Sequence, residues 1–87
     1  MTPAQLEKVT ELLNEVTPLE MVVTRGDAQV RLVCSGGVMI TIAPRGSVYW
    51  RKHGKLHRVA APAICMHDGV QGWFHNGIGV QKPGSAA

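Results

Sequence analysis

The chain has 87 residues, 45% of them hydrophobic and 17% charged, and its formal net charge is +3. This length supports a single domain over residues 1–87 with a modest core, and the composition excludes an intrinsically disordered chain. No apolar run approaches the length of a membrane span, and the first residues lack a signal-peptide layout. We therefore expect a cytoplasmic protein with no membrane partner.

Charge is distributed unevenly along the chain. Residues 1–20 contain four glutamates and one lysine, a net charge of −3, whereas residues 21–87 contain eight basic and two acidic residues, a net charge of +6. Five of the basic residues, and no acidic residue, lie between positions 45 and 58. This distribution predicts an acidic helix followed by a basic sheet.

A helix is predicted over residues 2–17. Thr2 is a helix N-cap residue, Pro3 suits the first helical position, and Gln5 completes a capping box. Thr17 precedes Pro18, which disfavours the helical conformation at Thr17 and ends the helix there. We expect an amphipathic helix that packs on the sheet through one apolar stripe, formed by Leu6, Val9, Leu12, Leu13 and Val16.

Residues 19–81 are predicted to form β-structure. Apolar side chains recur with a period of two over several short segments, which are separated by glycine-containing turns at 25–27, 35–37 and 44–46. Short strands with short connections favour an antiparallel meander of six to eight strands. The predicted fold class is therefore α+β, with one N-terminal helix packed on this meander and a flexible tail over residues 82–87.

A repeat organises the second half of the chain. The pattern Gly-x-x-x-Trp-x-x-(His or Asn)-Gly occurs twice, 23 residues apart, at Gly46, Trp50 and Gly54 and at Gly69, Trp73 and Gly77. His-Gly and Asn-Gly are dipeptides of tight hairpin turns, so we predict two β-hairpin repeats at 46–58 and 69–81. Both tryptophans are expected to pack inward because they hold the same position in each copy.

The first copy carries a family resemblance. Its sequence, Trp50-x-x-His-Gly-Lys-Leu-His-Arg58-x-x-x-Pro-Ala63, resembles the MORN-like Trp-x-x-Asn-Gly-Lys-x-His-Arg-x-x-Gly-Pro-Ala repeats of many phage and prophage proteins. The chain departs from that pattern at Ala61, where the repeats have glycine, and at positions 80 and 81, where the His-Arg pair is replaced. The resemblance implies a β-hairpin scaffold and a phage or prophage setting, and it names no substrate.

Histidines and cysteines are the candidate ligands of a metal ion. His53 and His57 are four residues apart but flank a predicted turn, and Cys65 and His67 are two apart in a predicted strand. A structural zinc site needs four converging ligands, usually with a close pair at each end, and no such pairs occur. Catalytic motifs are also lacking, so we predict no metal, no cofactor and no enzymatic activity. A disulfide between Cys34 and Cys65 is left open.

The charged segments are the candidate binding residues. We predict a non-catalytic phage or prophage accessory protein that binds a host protein or protein complex stoichiometrically and inhibits a bacterial defence complex, as anti-CRISPR proteins do. An alternative is a small nucleic-acid-binding protein that uses the Arg45–Arg58 stretch, with its bases pairing to phosphates beside aromatic rings. The oligomeric state is not predicted. The partner-binding residues are Arg45, Arg51, Lys52, Lys55 and Arg58, and a second candidate surface consists of Glu7, Glu11 and Glu15.

Overall fold

The computed structural model describes residues 1–82. The predicted tail therefore lies outside the described residues, apart from Lys82. The predicted α+β fold class is confirmed, because one helix precedes an antiparallel sheet. The elements are α1 (Pro3–Leu13), β1 (Glu20–Val23), β2 (Val30–Val33), β3 (Val38–Ile42), β4 (Val48–Lys52), β5 (Lys55–Leu56), β6 (Ile64–Cys65), β7 (Gln71–Gly72), β8 (Phe74–His75) and β9 (Ile78–Gly79).

Seven strands form the main sheet. Its order is β1-β2-β3-β4-β6-β7, all neighbours are antiparallel, and β5 also pairs with β4. Both β5 and β6 use the edge of β4 that β3 leaves open: β6 pairs with the first part of β4 and β5 with the last part. The remaining strands, β8 and β9, form a separate two-stranded ladder. The sheet is thus a meander in which the β4–β5 hairpin interrupts the regular strand order.

Helix α1 begins as predicted and ends earlier than predicted. The Thr2 hydroxyl accepts a hydrogen bond from the Gln5 N–H at 3.1 Å, and the Gln5 side chain accepts one from the Thr2 N–H at 2.8 Å, which completes the capping box. The helix ends at Leu13 rather than at residue 17. After Leu13 the regular helical hydrogen bonding ends, because the backbone N–H groups of residues 15 and 16 both donate to the Leu12 carbonyl.

The buried stripe of α1 differs from the predicted one. Gln5, Val9 and Leu12 are buried, whereas Leu6 and Leu13 are 59% and 51% exposed. The Gln5 amide donates hydrogen bonds to the backbone carbonyls of Ala28, in the β1–β2 turn, and of Ile42, in β3, at 2.6 and 3.2 Å. These bonds hold position 5 against the sheet and rotate the two leucines toward solvent. The core beneath the helix contains Val9, Leu12, Val30, Leu32, Ile40, Ile42, Val48, Trp50 and Ala63.

The two predicted hairpin repeats contain turns of matching geometry. The two-residue turns 53–54 and 76–77 have φ of 50° and 81° in the first and 51° and 83° in the second, as a type I′ hairpin turn requires. The strand that follows each turn donates an N–H back to the tryptophan carbonyl, at 3.1 Å from His57 and 2.8 Å from Val80. The copies differ in burial: Trp50 is 8% exposed, whereas Trp73 is only half-buried.

Candidate binding face

The strands β2, β3 and β4 have one face under α1 and one face opposite it. Side chains alternate between the two faces along each strand. Val30, Leu32 and Ile40 point to the helix side, and the residues that alternate with them in β2 and β3 point to the other side. That other side contains a depression of about 550 Å³. We call it the open face, and it is lined by Gln29, Arg31, Met39, Thr41, Ala43, Tyr49 and Arg51.

Two arginines lie on either side of the open face. Arg31 is opposite Thr41 in the register of β2 with β3, and Arg51 is opposite Met39 in the register of β3 with β4. The two guanidinium groups therefore start from strands that are about 10 Å apart across the sheet. Thr41 lies between them and is only 5% exposed, so it forms the floor of the depression.

Arg31 and Arg51 differ in their neighbours. Arg31 lies 3.7 Å from the Asp27 carboxylate, and both side chains are substantially exposed. A pair of this kind is worth at most about 1 kcal/mol, so Arg31 can exchange Asp27 for another anion. The Arg51 guanidinium lies over the Tyr49 ring, 5.6 Å from its centroid, and the Tyr49 hydroxyl donates to the Met66 sulfur at 3.7 Å. Tyr49 thus holds Arg51 against the sheet.

Asp27 is an acidic group at the edge of this face, beside Arg31. The pKa of its carboxyl is lowered, chiefly by a hydrogen bond from the Thr24 hydroxyl and to a smaller degree by the backbone N–H of Gln29 and the charge of Arg31. Asp27 therefore remains ionised at neutral pH. The open face consequently has two guanidinium groups, with the ionised Asp27 carboxylate beside Arg31 at its edge.

The five predicted partner-binding residues do not share one surface. Arg51 lies on the open face, whereas Lys52 follows it in β4 and lies on the helix side, in a groove of about 320 Å³ next to Trp50. Arg45 is exposed in the β3–β4 turn. Lys55 is exposed in β5 and lies next to the second hairpin. A Cβ built at Gly77 would lie 3.6 Å from the Cβ of Lys55.

The fifth residue, Arg58, packs against the core. Its guanidinium carbon lies 3.9 Å from the centroid of the Trp50 ring, and its side chain is 20% exposed. It also donates hydrogen bonds to the Pro62 carbonyl and to the Glu15 carboxylate, both at 3.3 Å. These contacts make Arg58 a cover for Trp50 rather than a free cation.

The acidic row of the predicted helix lies beside basic residues of the chain, although Glu15 follows the end of α1. Glu15 pairs with Arg58, and Glu11 lies 3.4 Å from Lys8 on the same helix. Glu7 shares a groove of about 380 Å³ with Arg45 at the start of the helix. The second candidate surface and the basic stretch are therefore neighbours, and two of the three glutamates already have ion-pair partners.

Arg31 is not among the predicted partner-binding residues, because Arg31 lies in β2, outside the basic stretch. The period of two contained the signal: Arg31 occupies an out-facing position between the buried Val30 and Leu32. Extending that alternation to β4 places Arg51, but not Lys52, on the same side of the sheet.

The histidines and cysteines do not converge within the described part of the chain. Residues 1–82 contain no group of three or more His, Cys, Asp or Glu side chains that could hold a metal ion. His57 accepts a hydrogen bond from the Asn76 N–H at 3.0 Å, and its ring lies 5.2 Å from that of His75. Cys34 and Cys65 are free thiols, and burial raises the pKa of Cys34.

Comparison of the chain with protein-family models, with curated proteins and with solved structures finds no match. Over residues 1–82, no helix combines the length and the apolar character that crossing a membrane requires.

Proposed function

We propose that this protein is a non-catalytic binding protein whose open face binds an acidic surface of a host protein. The observation that carries the proposal is the position of Arg31 and Arg51 on either side of a depression that α1 does not cover. Arginine suits this role because its planar guanidinium can form paired hydrogen bonds to a carboxylate, and it is frequent among the residues that dominate interface energies.

A protein partner is favoured over a nucleic acid by the state of the aromatic rings. Binding to single-stranded nucleic acid generally needs exposed rings on which bases stack. Trp50 is buried under Arg58, and the half-buried Tyr49 ring already has the Arg51 guanidinium 5.6 Å from its centroid and its hydroxyl bonded to Met66. The open face therefore presents charge without a free stacking ring.

The nucleic-acid alternative has one observation in its favour. Residues 21–87 have eight basic and two acidic residues, and both guanidinium groups of the open face are accessible to phosphates. Phosphate contacts of this kind need no base stacking, but their affinity falls steeply as salt rises. The salt dependence of binding therefore separates the two functions.

The biological setting proposed is a phage or prophage gene expressed in the cytoplasm of its bacterial host. The likeness of residues 50–63 to MORN-like phage repeats supports this setting. We propose that stoichiometric binding inhibits a bacterial defence complex in the manner of anti-CRISPR proteins. In this scheme the chain contributes shape and charge, and no reaction is needed.

The test compares two double variants with the same change in net charge. Arg31→Glu/Arg51→Glu reverses the charge of the open face, and Arg45→Glu/Lys55→Glu reverses two exposed residues elsewhere. The wild-type chain is first used to capture partners from a bacterial lysate, which are identified by mass spectrometry. Binding of each purified partner is then measured by calorimetry for the wild type and both variants, after thermal melting has shown that they are folded.

We expect the open-face variant to weaken partner binding by about 100-fold or more, and the control variant to change it by less than about fivefold. Equal losses in both variants would contradict the proposal, because they would show that only net charge matters. Retardation of random oligonucleotides that depends on Arg31 and Arg51 and is lost at physiological salt would support the nucleic-acid alternative instead.

A further inference from the structure

The outer strand β1 presents an open edge. Among residues 1–82 it pairs with β2 on one side and with no strand on the other. Just beyond β1, the Thr24 N–H donates to the Gln29 carbonyl at 2.8 Å. Because hydrogen-bond direction alternates along an antiparallel strand, the N–H and C=O groups of Met21 and Val23 point away from β2. β1 contains no lysine or proline that would block pairing with another strand.

The side chains of β1 extend an apolar surface from this edge. Met21 and Val23 lie opposite the buried Leu32 and Val30, so they point to the helix side of the sheet. They are nevertheless 49% and 50% exposed, because α1 does not reach across them. Leu19, immediately before the strand, is 74% exposed.

The flank of α1 continues the same surface. One flank faces the β3–β4 turn, where a Cβ at Gly46 would lie 3.3 Å from Ala4, and on the same flank Glu15, just beyond the helix, reaches Arg58. The turn of 100° per residue places Leu6 and Leu13 on the other flank, toward β1. These are the two leucines that the hydrogen bonds of Gln5 rotate out of the core.

We infer that the β1 edge, together with Leu6 and Leu13, is a homodimer interface. In the dimer, β1 of one copy pairs antiparallel with β1 of a second copy, and the sheet continues across a two-fold axis. Five apolar side chains that are 49–74% exposed, with on the order of 100 Å² each, give about 500 Å² per copy. Two copies then bury about 1,000 Å², which is near the lower limit for a specific interface.

Charge complementarity selects a second copy as the occupant and fixes its direction. Glu20 stands at the start of β1 and Arg25 follows its end, and both are exposed. Antiparallel pairing brings the Glu20 end of each β1 toward the Arg25 end of the other, whereas parallel pairing would place like charges together. A surface that is acidic at one end and basic at the other is self-complementary under a two-fold rotation.

The experiment measures molar mass by light scattering after gel filtration, from about 10 µM to about 1 mM protein. Met21→Lys places a charge in the interface, and Val23→Pro removes an N–H that points away from β2 and so spares the existing ladder. Ile78→Lys, on an exposed strand residue of the second hairpin, is the matched control. A charge-reversal series adds Glu20→Arg, Arg25→Glu and the combined Glu20→Arg/Arg25→Glu variant.

We expect a wild-type dimer that dissociates at micromolar concentrations, and dimer dissociation constants raised about tenfold or more in Met21→Lys and Val23→Pro. Each single charge reversal should weaken the dimer, and the combined variant should restore it. A wild-type monomer at the highest concentration would overturn the inference. So would a dimer insensitive to the β1 variants, a dimer equally weakened by Ile78→Lys, or assemblies that grow without limit. The charge-reversal series decides the matter if Met21→Lys does not fold.

Discussion

Replacing Arg58 with alanine tests the claim that this residue covers the core and does not serve as a free cation of the binding surface. The guanidinium lies 3.9 Å from the Trp50 ring centroid in a side chain that is 20% exposed. A cation over an indole ring contributes about 0.5 kcal/mol when exposed and about 2 kcal/mol when largely desolvated. The burial of Arg58 places its contribution in the upper half of that range.

Two other contacts of Arg58 contribute less to the free energy of unfolding. The Glu15 carboxylate is 57% exposed, so its ion pair with Arg58 contributes about 0.5 kcal/mol. The hydrogen bond to the Pro62 carbonyl is long at 3.3 Å and adds about 0.5–1 kcal/mol. Because the three contacts share one side chain and do not add independently, we expect Arg58→Ala to cost about 2–3 kcal/mol. In a domain of this size, that loss lowers Tm by about 10–20 °C.

The assay is thermal and urea unfolding of Arg58→Ala beside three reference variants. Arg58→Lys keeps the charge but loses the planar stack and should fall between wild type and alanine. Glu15→Gln removes only the ion pair and should lower Tm by less than about 4 °C. Arg45→Ala, at an exposed turn position, should leave Tm unchanged. The reasoning is refuted if Arg58→Ala melts within about 3 °C of wild type, or if Glu15→Gln is equally destabilising.

Three further changes test the fold. Gln5→Ala leaves two backbone carbonyls without the amide that bonds them and should cost about 2–3 kcal/mol in urea unfolding. Gly54→Ala, at φ of 81°, should cost about 1–2 kcal/mol, whereas Gly26→Ala, which meets no neighbouring atom, should cost less than about 0.5 kcal/mol. The pKa of Asp27 is lowered in the folded state, chiefly by Thr24, so the stability it contributes is present above its unfolded pKa and is lost as pH falls below about 4. Urea midpoints from pH 6 down should therefore fall less in Asp27→Asn than in wild type.

Local chemistry made the elements of this fold predictable. The Thr2–Gln5 capping box and the His-Gly and Asn-Gly turns depend on a few adjacent residues, and the structure has them where the sequence places them. The buried stripe of α1 was not predictable from apolar spacing. It depends on Gln5 reaching backbone carbonyls 23 and 37 residues away, and no helical pattern contains that information.

The candidate site was only partly predictable, because closeness in sequence is not closeness on a sheet. Arg51 and Lys52 are adjacent in β4 and therefore point to opposite faces. Arg58 follows β5 and folds back over Trp50, while Arg31 reaches the open face from another strand. A run of basic residues marks a binding surface in a helix or a flexible segment, but in paired strands it is divided between two faces.

The two hairpin copies also show why a repeated sequence need not have a repeated role. Their turns match within a few degrees, since turn geometry is set by the turn residues themselves. Burial of the tryptophan depends instead on what covers it: α1 and Arg58 cover the first copy, and an 11-residue helix is only about 16 Å long. The second copy contributes β7 to the main sheet, whereas its turn belongs to the separate two-stranded ladder of β8 and β9.

Dimerisation through β1 would strengthen partner binding by the open face, because a dimer has two open faces. One open face offers two guanidinium groups beside a depression of about 550 Å³, so a single copy contributes few anchoring side chains. Pairing through β1 would place two open faces in one continuous sheet, because β1 lies at the far edge from β6 and β7. A partner with two acidic sites at the matching separation would then bind the second face at a high effective concentration. In that case the affinity for the partner is a property of the dimer and not of the single chain.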